Sequence, residues 1–310
     1  MAHAHSHAPT GRYLGLSIAV TGAFVAAELV AGIFANSLAL ISDAGHNFAD
    51  ALALIFSWYA IRLAQRPSSA ERTFGYHRAS ILAALVNAVA LVVIALIIFW
   101  EAGQRFLHPE HPHSGLMIGV AAAAVSLNAL IAFWLHGEAR HDLNMRSAYL
   151  HMLGDAVSAV GVLAAGVAVA LTGSTLADPA VSLFIGLLIL WSSWGILREA
   201  VNVLLEATPK GLDMSAVEGS IRGVPGVLDV HDLHVWTLTS GIIACSCHIL
   251  VAEQSIRSGQ QVLRAVVSEL EHHFHITHTT VQVEVEGCEP NDLYCTLRRH
   301  EHGHAHDHHH

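Results

Sequence analysis

The feature that most constrains this chain is a series of six apolar stretches, each about as long as a membrane-spanning helix. They cover residues 13–34, 38–61, 81–102, 115–134, 149–171 and 179–197. An α-helix of about 20 apolar residues crosses the roughly 30 Å hydrocarbon core of a bilayer. Charged residues make up only 13% of the chain, too few to coat the surface of a soluble protein of this size. The pattern therefore predicts six membrane-spanning helices rather than buried helices of a soluble fold.

Arginine residues indicate which side of the membrane the short connecting segments face. Six of them lie between the second and third stretches or between the fourth and fifth: Arg62, Arg66, Arg72, Arg78, Arg140 and Arg146. On the opposite side only Arg105 is found. Because short cytoplasmic loops are enriched in Lys and Arg, we expect an integral protein of the cell (inner) membrane with both termini in the cytoplasm.

The last third of the chain differs in composition from the rest. Residues 1–205 carry a net charge of −2, whereas residues 206–310 carry −8 and hold 14 of the 25 histidines. An acidic, histidine-rich segment repels nucleic acid and attracts divalent cations, so no nucleic-acid partner is expected. All four cysteines lie here, too few for a disulfide scaffold, and in the cytoplasm they are free thiols or metal ligands.

Hydrophobic periodicity in the last third predicts a small α+β domain. Helices are expected at residues 214–222 and 258–274, and strands at 227–236, 242–251 and 279–286. The order helix–strand–strand–helix–strand suggests a cytoplasmic ferredoxin-like module.

The predicted architecture is a polytopic α-helical membrane protein with an α+β C-terminal domain. The expected divisions are a histidine-containing tail at 1–11, a six-helix domain at 12–205, a ferredoxin-like domain at 206–287 and a His-rich tail at 288–310. The clustered histidines of the tails are either low-affinity collectors of metal or merely solvated, and the last three can be a tag remnant.

Two apolar stretches carry the same polar motif, a histidine followed four residues later by an aspartate. The second stretch contains His46 and Asp50, and the fifth contains His151 and Asp155. Positions i and i+4 lie on one face of a helix, so two such faces can bring two imidazoles and two carboxylates together. That set suits a tetrahedral divalent ion, zinc above all. A single motif can be explained by a hydrogen bond between its own histidine and aspartate, but two copies favour a metal site.

The charges of this predicted site link metal binding to protons. Two aspartates and one divalent ion make a neutral site, and without metal the same groups take up protons, since metal ligands must be deprotonated to bind. Exchange of the two across a membrane is antiport. Asp43, three residues before His46, is predicted to be an accessory residue. It can act as an outer partner of the ligands, as a gate, or only as a cap at the membrane interface. Glu28, in the first stretch, is a candidate proton relay.

Three segments resemble the cation diffusion facilitator family of divalent-metal transporters. They are residues 37–50 (SLALISDAGHNFAD), 73–78 (TFGYHR) and 231–236 (HDLHVW). The resemblance implies a homodimer whose chains each carry six spans and a ferredoxin-like domain, and which exports zinc in exchange for protons. The family's transport ligands fall on His46, Asp50, His151 and Asp155, with a His at the first position as in the branch that favours zinc over cadmium.

The same resemblance implies a metal site in the cytoplasmic domain, near the dimer contact. Its ligands fall on His231, His248 and Glu284, while Gln282 stands where some members have His. Strict alternation along a strand puts His231 and His234 on opposite faces, so we expect that they do not bind one ion together. These histidines can alternatively be ordinary strand residues. A further family site in the loop after the second stretch is not expected, because Arg72 and Tyr76 occupy the ligand positions.

These observations favour one functional class over two others. An intramembrane metalloenzyme needs an HExxH-type helix and an open coordination position for water, and the nearest string, residues 136–141, has the wrong spacing. A membrane metal sensor is the other alternative. No nucleotide-binding motif is present, which argues against an ATP-driven pump. We expect a secondary active Zn²⁺/H⁺ antiporter, not an enzyme, with Zn²⁺ as substrate and as a ligand of the cytoplasmic domain.

Overall fold

The structure is a computed structural model that describes residues 11–137, 143–239 and 241–286. The predicted histidine tails lie outside the described residues, apart from residue 11. The chain divides between Ala200 and Val201 into two compact units, which are described separately below.

The first unit consists of helices that coincide with the six apolar stretches. They are α1 (Gly11–Ala35), α2 (Leu38–Ala64), α3 (Ala79–Leu107), α4 (Ser114–His136), α5 (Leu143–Thr172) and α6 (Ala177–Leu204). Ser37 begins α2, because its backbone is extended and its hydroxyl accepts a hydrogen bond from the Leu40 N–H at 3.2 Å. The preceding residue, Asn36, takes a left-handed conformation (φ 49°), which permits the sharp turn from α1.

Four of these helices are long and apolar enough to cross a membrane. They are α3, α4, α6 and residues Tyr149–Thr172 of α5. In α1 only the shorter apolar segment Gly22–Ala35 is described at the level of side chains. In α2 the apolar sequence is interrupted by the predicted site residues. The membrane domain is therefore helical, and the count of six spans stays a prediction.

The buried core of the first unit is built largely from small and aliphatic residues. Every one of the helices contributes to it: Ala35, Ala39, Leu40, Ala49, Leu91, Ala95, Ile98, Met117, Ala121, Val162, Ala165, Ile185 and Ile189. Close helix contacts explain the small residues. A Cβ atom added at Gly166 of α5 would lie 3.0 Å from Ile118 and 3.1 Å from Met117 of α4. One added at Gly186 of α6 would lie 2.7 Å from Phe99 of α3.

The second unit has the predicted order of two helices and three strands. After the end of α6 come α7 (Met214–Arg222), β1 (Val227–Thr239), β2 (Ile242–Val251), α8 (Ile256–Phe274) and β3 (Ile276–Glu284). The central strand β2 is antiparallel to β1 and parallel to β3. One face of the sheet packs with both helices in a core that includes Ile221, Leu233, Ile249 and Leu270. The other face carries the histidines discussed below.

The close contact at Gly166 generates a prediction about stability. Replacing Gly166 by Val should force α4 and α5 apart, and overpacking of this kind costs about 1–3 kcal/mol. We expect the Tm of the purified protein in detergent, measured by intrinsic fluorescence, to fall by roughly 2–10 °C. Gly119→Val on α4 is the matched control, because nothing lies within 4 Å of a Cβ atom at that position. Equal Tm values for the two variants would contradict the packing argument.

Candidate metal centre

The two histidine–aspartate motifs face each other between α2 and α5. The Nε2 atom of His46 lies 3.5 Å from Asp50 Oδ2 on its own helix and 3.5 Å from Asp155 Oδ1 on the other. The Nε2 atom of His151 lies 3.6 Å from Asp50 Oδ2 and 3.7 Å from Asp155 Oδ2. Each imidazole thus contacts both carboxylates, and the structure brings all four predicted residues together.

These distances match the spacing of ligands around one small cation. Zinc bound at about 2.0–2.1 Å in a tetrahedron has its ligand atoms about 3.4 Å apart. Ligand atoms of His46, Asp50 and Asp155 lie within 4.8 Å of one another. His151 lies outside that limit, because its ring centroid is 6.4 Å from that of His46, yet it reaches both aspartates.

The four side chains line a cavity of about 450 Å³ between α2, α3, α5 and α6. Among the residues that the structure describes, neither His46 Nδ1 nor Asp50 Oδ2 has a hydrogen-bond partner although both are buried. Buried polar atoms are normally hydrogen-bonded, and the binding of an ion is one explanation of those that are not. Apolar residues such as Leu91 and Ile189 form much of the remaining wall, which lowers the local dielectric and strengthens any ion–carboxylate attraction.

A second group of polar residues lies beside the four-residue site. Glu28 and Asp43 are 1% and 3% exposed. Asp43 accepts a hydrogen bond from Ser158, one turn beyond Asp155 on α5, and Glu28 accepts one from Asn47 at 3.0 Å. Asp43 is thus buried within α2, whose N-terminus is capped by Ser37, and its accessory role stays a prediction. Ser158 was not predicted from the sequence, although its position three residues after Asp155 places it on the same face of α5.

The cytoplasmic residues implied by the resemblance also come together, on the exposed face of the sheet. His231 Nε2 lies 3.1 Å from Glu284 Oε2, and His248 Nδ1 lies 3.1 Å from Glu284 Oε1. Ligand atoms of the three residues lie within 4.8 Å of one another. Within the described part of the chain, His231 Nε2, His248 Nδ1 and Glu284 Oε2 are buried without a hydrogen bond of good geometry. Two imidazole nitrogens and a carboxylate aimed at one point fit a zinc ion.

The expectation that His231 and His234 face opposite sides of the sheet is wrong. His231 pairs with His248 but His234 pairs with Ser246, so β1 carries one more residue than β2 between these pairs. This β-bulge is centred on Asp232, whose φ of 49° breaks the alternation. His234 therefore lies on the same face as His231.

The bulge also adds a residue that sequence reasoning missed. Asp232 Oδ1 lies 3.1 Å from His234 Nε2, and its Oδ2 lies 3.7 Å from His248 Nε2. The carboxylate thus connects His234 to the three-residue cluster. Aspartate is one of the few residues that readily adopts positive φ, but alternation alone gave no reason to place a bulge here.

The two cysteines within the described residues lie on the opposite face of the sheet. Cys245 and Cys247 are both buried in the hydrophobic core of the second unit. The hydrogen bond between them, together with burial, raises the pKa of the Cys245 thiol. Their position in the core, on the face opposite the histidines, separates this pair from the histidine cluster.

Comparison with known proteins places both units in one family. Residues 14–205 match the family model described as the cation efflux transmembrane domain, and residues 209–286 match that of the cation efflux protein cytoplasmic domain. The zinc transporter ZitB of Shigella flexneri is 38% identical over 319 residues, with 100% of both chains covered.

Other relatives carry names that include further metals. A cadmium, cobalt and zinc/H⁺–K⁺ antiporter of Bacillus subtilis is 36% identical over 92% of this chain and 93% of its own. The metal cation efflux system protein CzcD of Cupriavidus metallidurans is 39% identical, with 94% of this chain and 92% of that protein covered. Both family models, and relatives that are more than 30% identical over nearly their full length, indicate the same family. The chain therefore belongs to the cation diffusion facilitator family of cation efflux transporters.

Proposed function

We propose that this protein is a secondary active antiporter that exports Zn²⁺ from the cytoplasm in exchange for protons. The observation that carries the proposal is the convergence of His46, Asp50, His151 and Asp155 from two helices, with His–Asp distances of 3.5–3.7 Å. Relatives named as zinc transporters and as a metal/H⁺–K⁺ antiporter support the substrate class and the exchange mode.

Charge balance explains why this site should exchange a metal for protons. Two carboxylates and a divalent cation sum to zero, the state of lowest cost in a poorly solvated cavity. When the metal leaves, protons on the aspartates or histidines restore neutrality, because the same atoms hold either metal or protons. Asp43, bonded to Ser158 beside the ligands, is proposed as an accessory group.

The cavities suggest the route by which the ion reaches the site. A second cavity of about 200 Å³ shares Ala53, Asn87 and Ile196 with the site cavity and extends to Ser57 and Ser80. These serines lie near the C-terminal end of α2 and the start of α3, next to the arginine-rich connecting segment. Short arginine-rich segments face the cytoplasm, so we propose that zinc enters from that side.

The second unit is proposed to hold a resident zinc ion and to form the homodimer contact. His231, His248 and Glu284 would ligate the ion, with Asp232 orienting His248. Zinc in such a site has no redox chemistry and would act by cross-linking strands β1, β2 and β3. The match of residues 209–286 to the family's cytoplasmic domain supports the dimer. We further propose six spans, cytoplasmic termini and location in the inner membrane.

Neutralising either transport carboxylate tests the proposed exchange. Asp50→Asn and Asp155→Asn each remove a charged ligand while keeping side-chain shape, so the zinc-dependent proton flux in reconstituted vesicles should fall to that of protein-free vesicles. The matched control is Asp213→Asn, since Asp213 caps α7 and Asn caps a helix equally well. Normal zinc–proton exchange by either site variant would refute the assignment of the ligands.

A separate prediction concerns the cytoplasmic cluster. Glu284→Gln removes the carboxylate that both histidines contact, and loss of a ligand should weaken zinc binding there by at least about tenfold, the effect of losing even an outer partner. Calorimetric titration of the full-length protein should then show one tight zinc site fewer per chain. Glu286→Gln, two residues further along, should leave the stoichiometry unchanged. An unaltered titration curve for Glu284→Gln would exclude this residue as a ligand.

A further inference from the structure

Asp178, in the first turn of α6, is a carboxylate with only 1% of its surface exposed. Its Oδ1 accepts hydrogen bonds from the Ser37 hydroxyl at 2.6 Å and the Ala39 N–H at 3.2 Å. Its Oδ2 accepts one from the Leu38 N–H at 2.8 Å. The first N–H groups of a helix have no partners within the helix, so a residue of α6 completes the start of α2. The favourable interaction of a negative charge with a helix N-terminus strengthens this contact.

Arg105, in the last turn of α3, joins the same network and is 8% exposed. Its guanidinium lies 3.4 Å from Asp178 Oδ2 and donates hydrogen bonds to the Asn36 backbone carbonyl at 2.8 Å and side-chain oxygen at 3.2 Å. Glu101 and Glu110 approach the same guanidinium at 3.5 and 3.4 Å. The network therefore ties together the turn before α2, the end of α3 and the start of α6, here called the Asp178 end of the first unit.

Between the proposed ligands and the Asp178 end, five of the helices contribute residues whose side chains are buried. Their side chains at this level are at most 1% exposed: Leu40 on α2, Ala95 on α3, Met117 on α4, Val162 on α5 and Ile185 on α6. Toward the opposite end, the cavity at the ligands continues through Ala53 and Asn87 to Ser57 and Ser80. On the Asp178 side the described residues thus form a buried layer, here called the closed layer, whereas a cavity lies on the other side of the site.

The helix α2, which carries two of the proposed ligands, extends from the Asp178 end to the side on which the cavity lies. His46 is eight residues from Leu38, so about 12 Å of helix separates the first ligand from the hydrogen bonds of Asp178. An antiporter must open its site to each side in turn, and opening toward the Asp178 end requires α2, α3 and α6 to separate there. Removing one partner from a buried charge pair is strongly destabilising, so the network favours the closed arrangement.

We propose, on the basis of the transport function inferred above, that Asp178 is a positioning residue that latches the Asp178 end shut while the site faces the arginine-rich side. Weakening the latch should shift the population toward a state open at the Asp178 end. A residue of the closed layer then becomes reachable by a hydrophilic reagent from that side. Asp178 is not one of the proposed ligands, so the shift should occur without loss of the zinc site.

The test uses Val162→Cys as a reporter thiol in the full-length chain. A membrane-impermeant maleimide is applied to one side of sealed membrane vesicles at a time, and the parent chain with its four native cysteines supplies the background. Asp178→Asn, which removes the charge, should raise the rate of Val162→Cys labelling from the Asp178 side by at least tenfold. Ser37→Ala, which removes one hydrogen bond of the latch, should raise it by a smaller factor of at least three.

Ser193→Ala is the matched control for Ser37→Ala. Ser193 is also fully buried, but its hydroxyl bonds only backbone carbonyls of its own helix, at 2.6 and 3.3 Å. It should leave the labelling rate unchanged. Zinc binding by each variant is measured by calorimetry, and should retain the affinity of the parent.

Failure of the latch and failure of the transport function give different results. If neither Asp178→Asn nor Ser37→Ala accelerates labelling from the Asp178 side, or if Ser193→Ala accelerates it equally, the latch is overturned whatever the transport rates. If Asp178→Asn does not assemble, Ser37→Ala decides alone. Absence of zinc–proton exchange in the unlabelled parent would instead overturn the proposed function, since labelling requires no transport.

Discussion

A carboxylate inside an apolar helix bundle must have a partner, and the architecture of the first unit depends on how five such groups are satisfied. Asp50 and Asp155 face imidazoles, Glu28 faces an asparagine amide, Asp43 faces a serine hydroxyl, and Asp178 faces an arginine and the start of a helix. In each case at least one partner comes from a different helix. Polar pairing therefore decides which helices are neighbours, whereas the small residues of the core decide how closely they approach.

The two candidate metal centres use different regular structures to bring ligands together. In the first unit, the helical repeat places a histidine and an aspartate one turn apart, and two helices face each other. In the second unit, neighbouring strands place His231, His248 and Glu284 side by side across the sheet. The first arrangement can change when helices tilt, which suits a transported ion. The second is fixed by backbone hydrogen bonds, which suits a resident ion.

Features governed by local pattern could be predicted from the sequence, and those governed by contacts between distant segments could not. The helix positions, the αββαβ order and the four converging residues follow from apolar length, periodicity and spacing. The bond between Ser37 and Asp178 joins residues 141 positions apart, and no periodicity links them. Asp178 lies at the start of an apolar stretch, where an acidic residue is ordinary, so nothing marked it as buried. The expectation of strict alternation was wrong at Asp232, because the two-residue periodicity of a strand sequence does not indicate where a single residue adopts the left-handed conformation.

The bulge in β1 makes the backbone conformation of Asp232 part of the candidate metal site of the sheet. With the same number of residues but no bulge, regular alternation would turn the His234 imidazole into the aliphatic core, although every ligand type would remain in the sequence. The left-handed backbone at Asp232, as much as the number of histidines in the sequence, thus decides how many imidazoles the open face of the sheet presents.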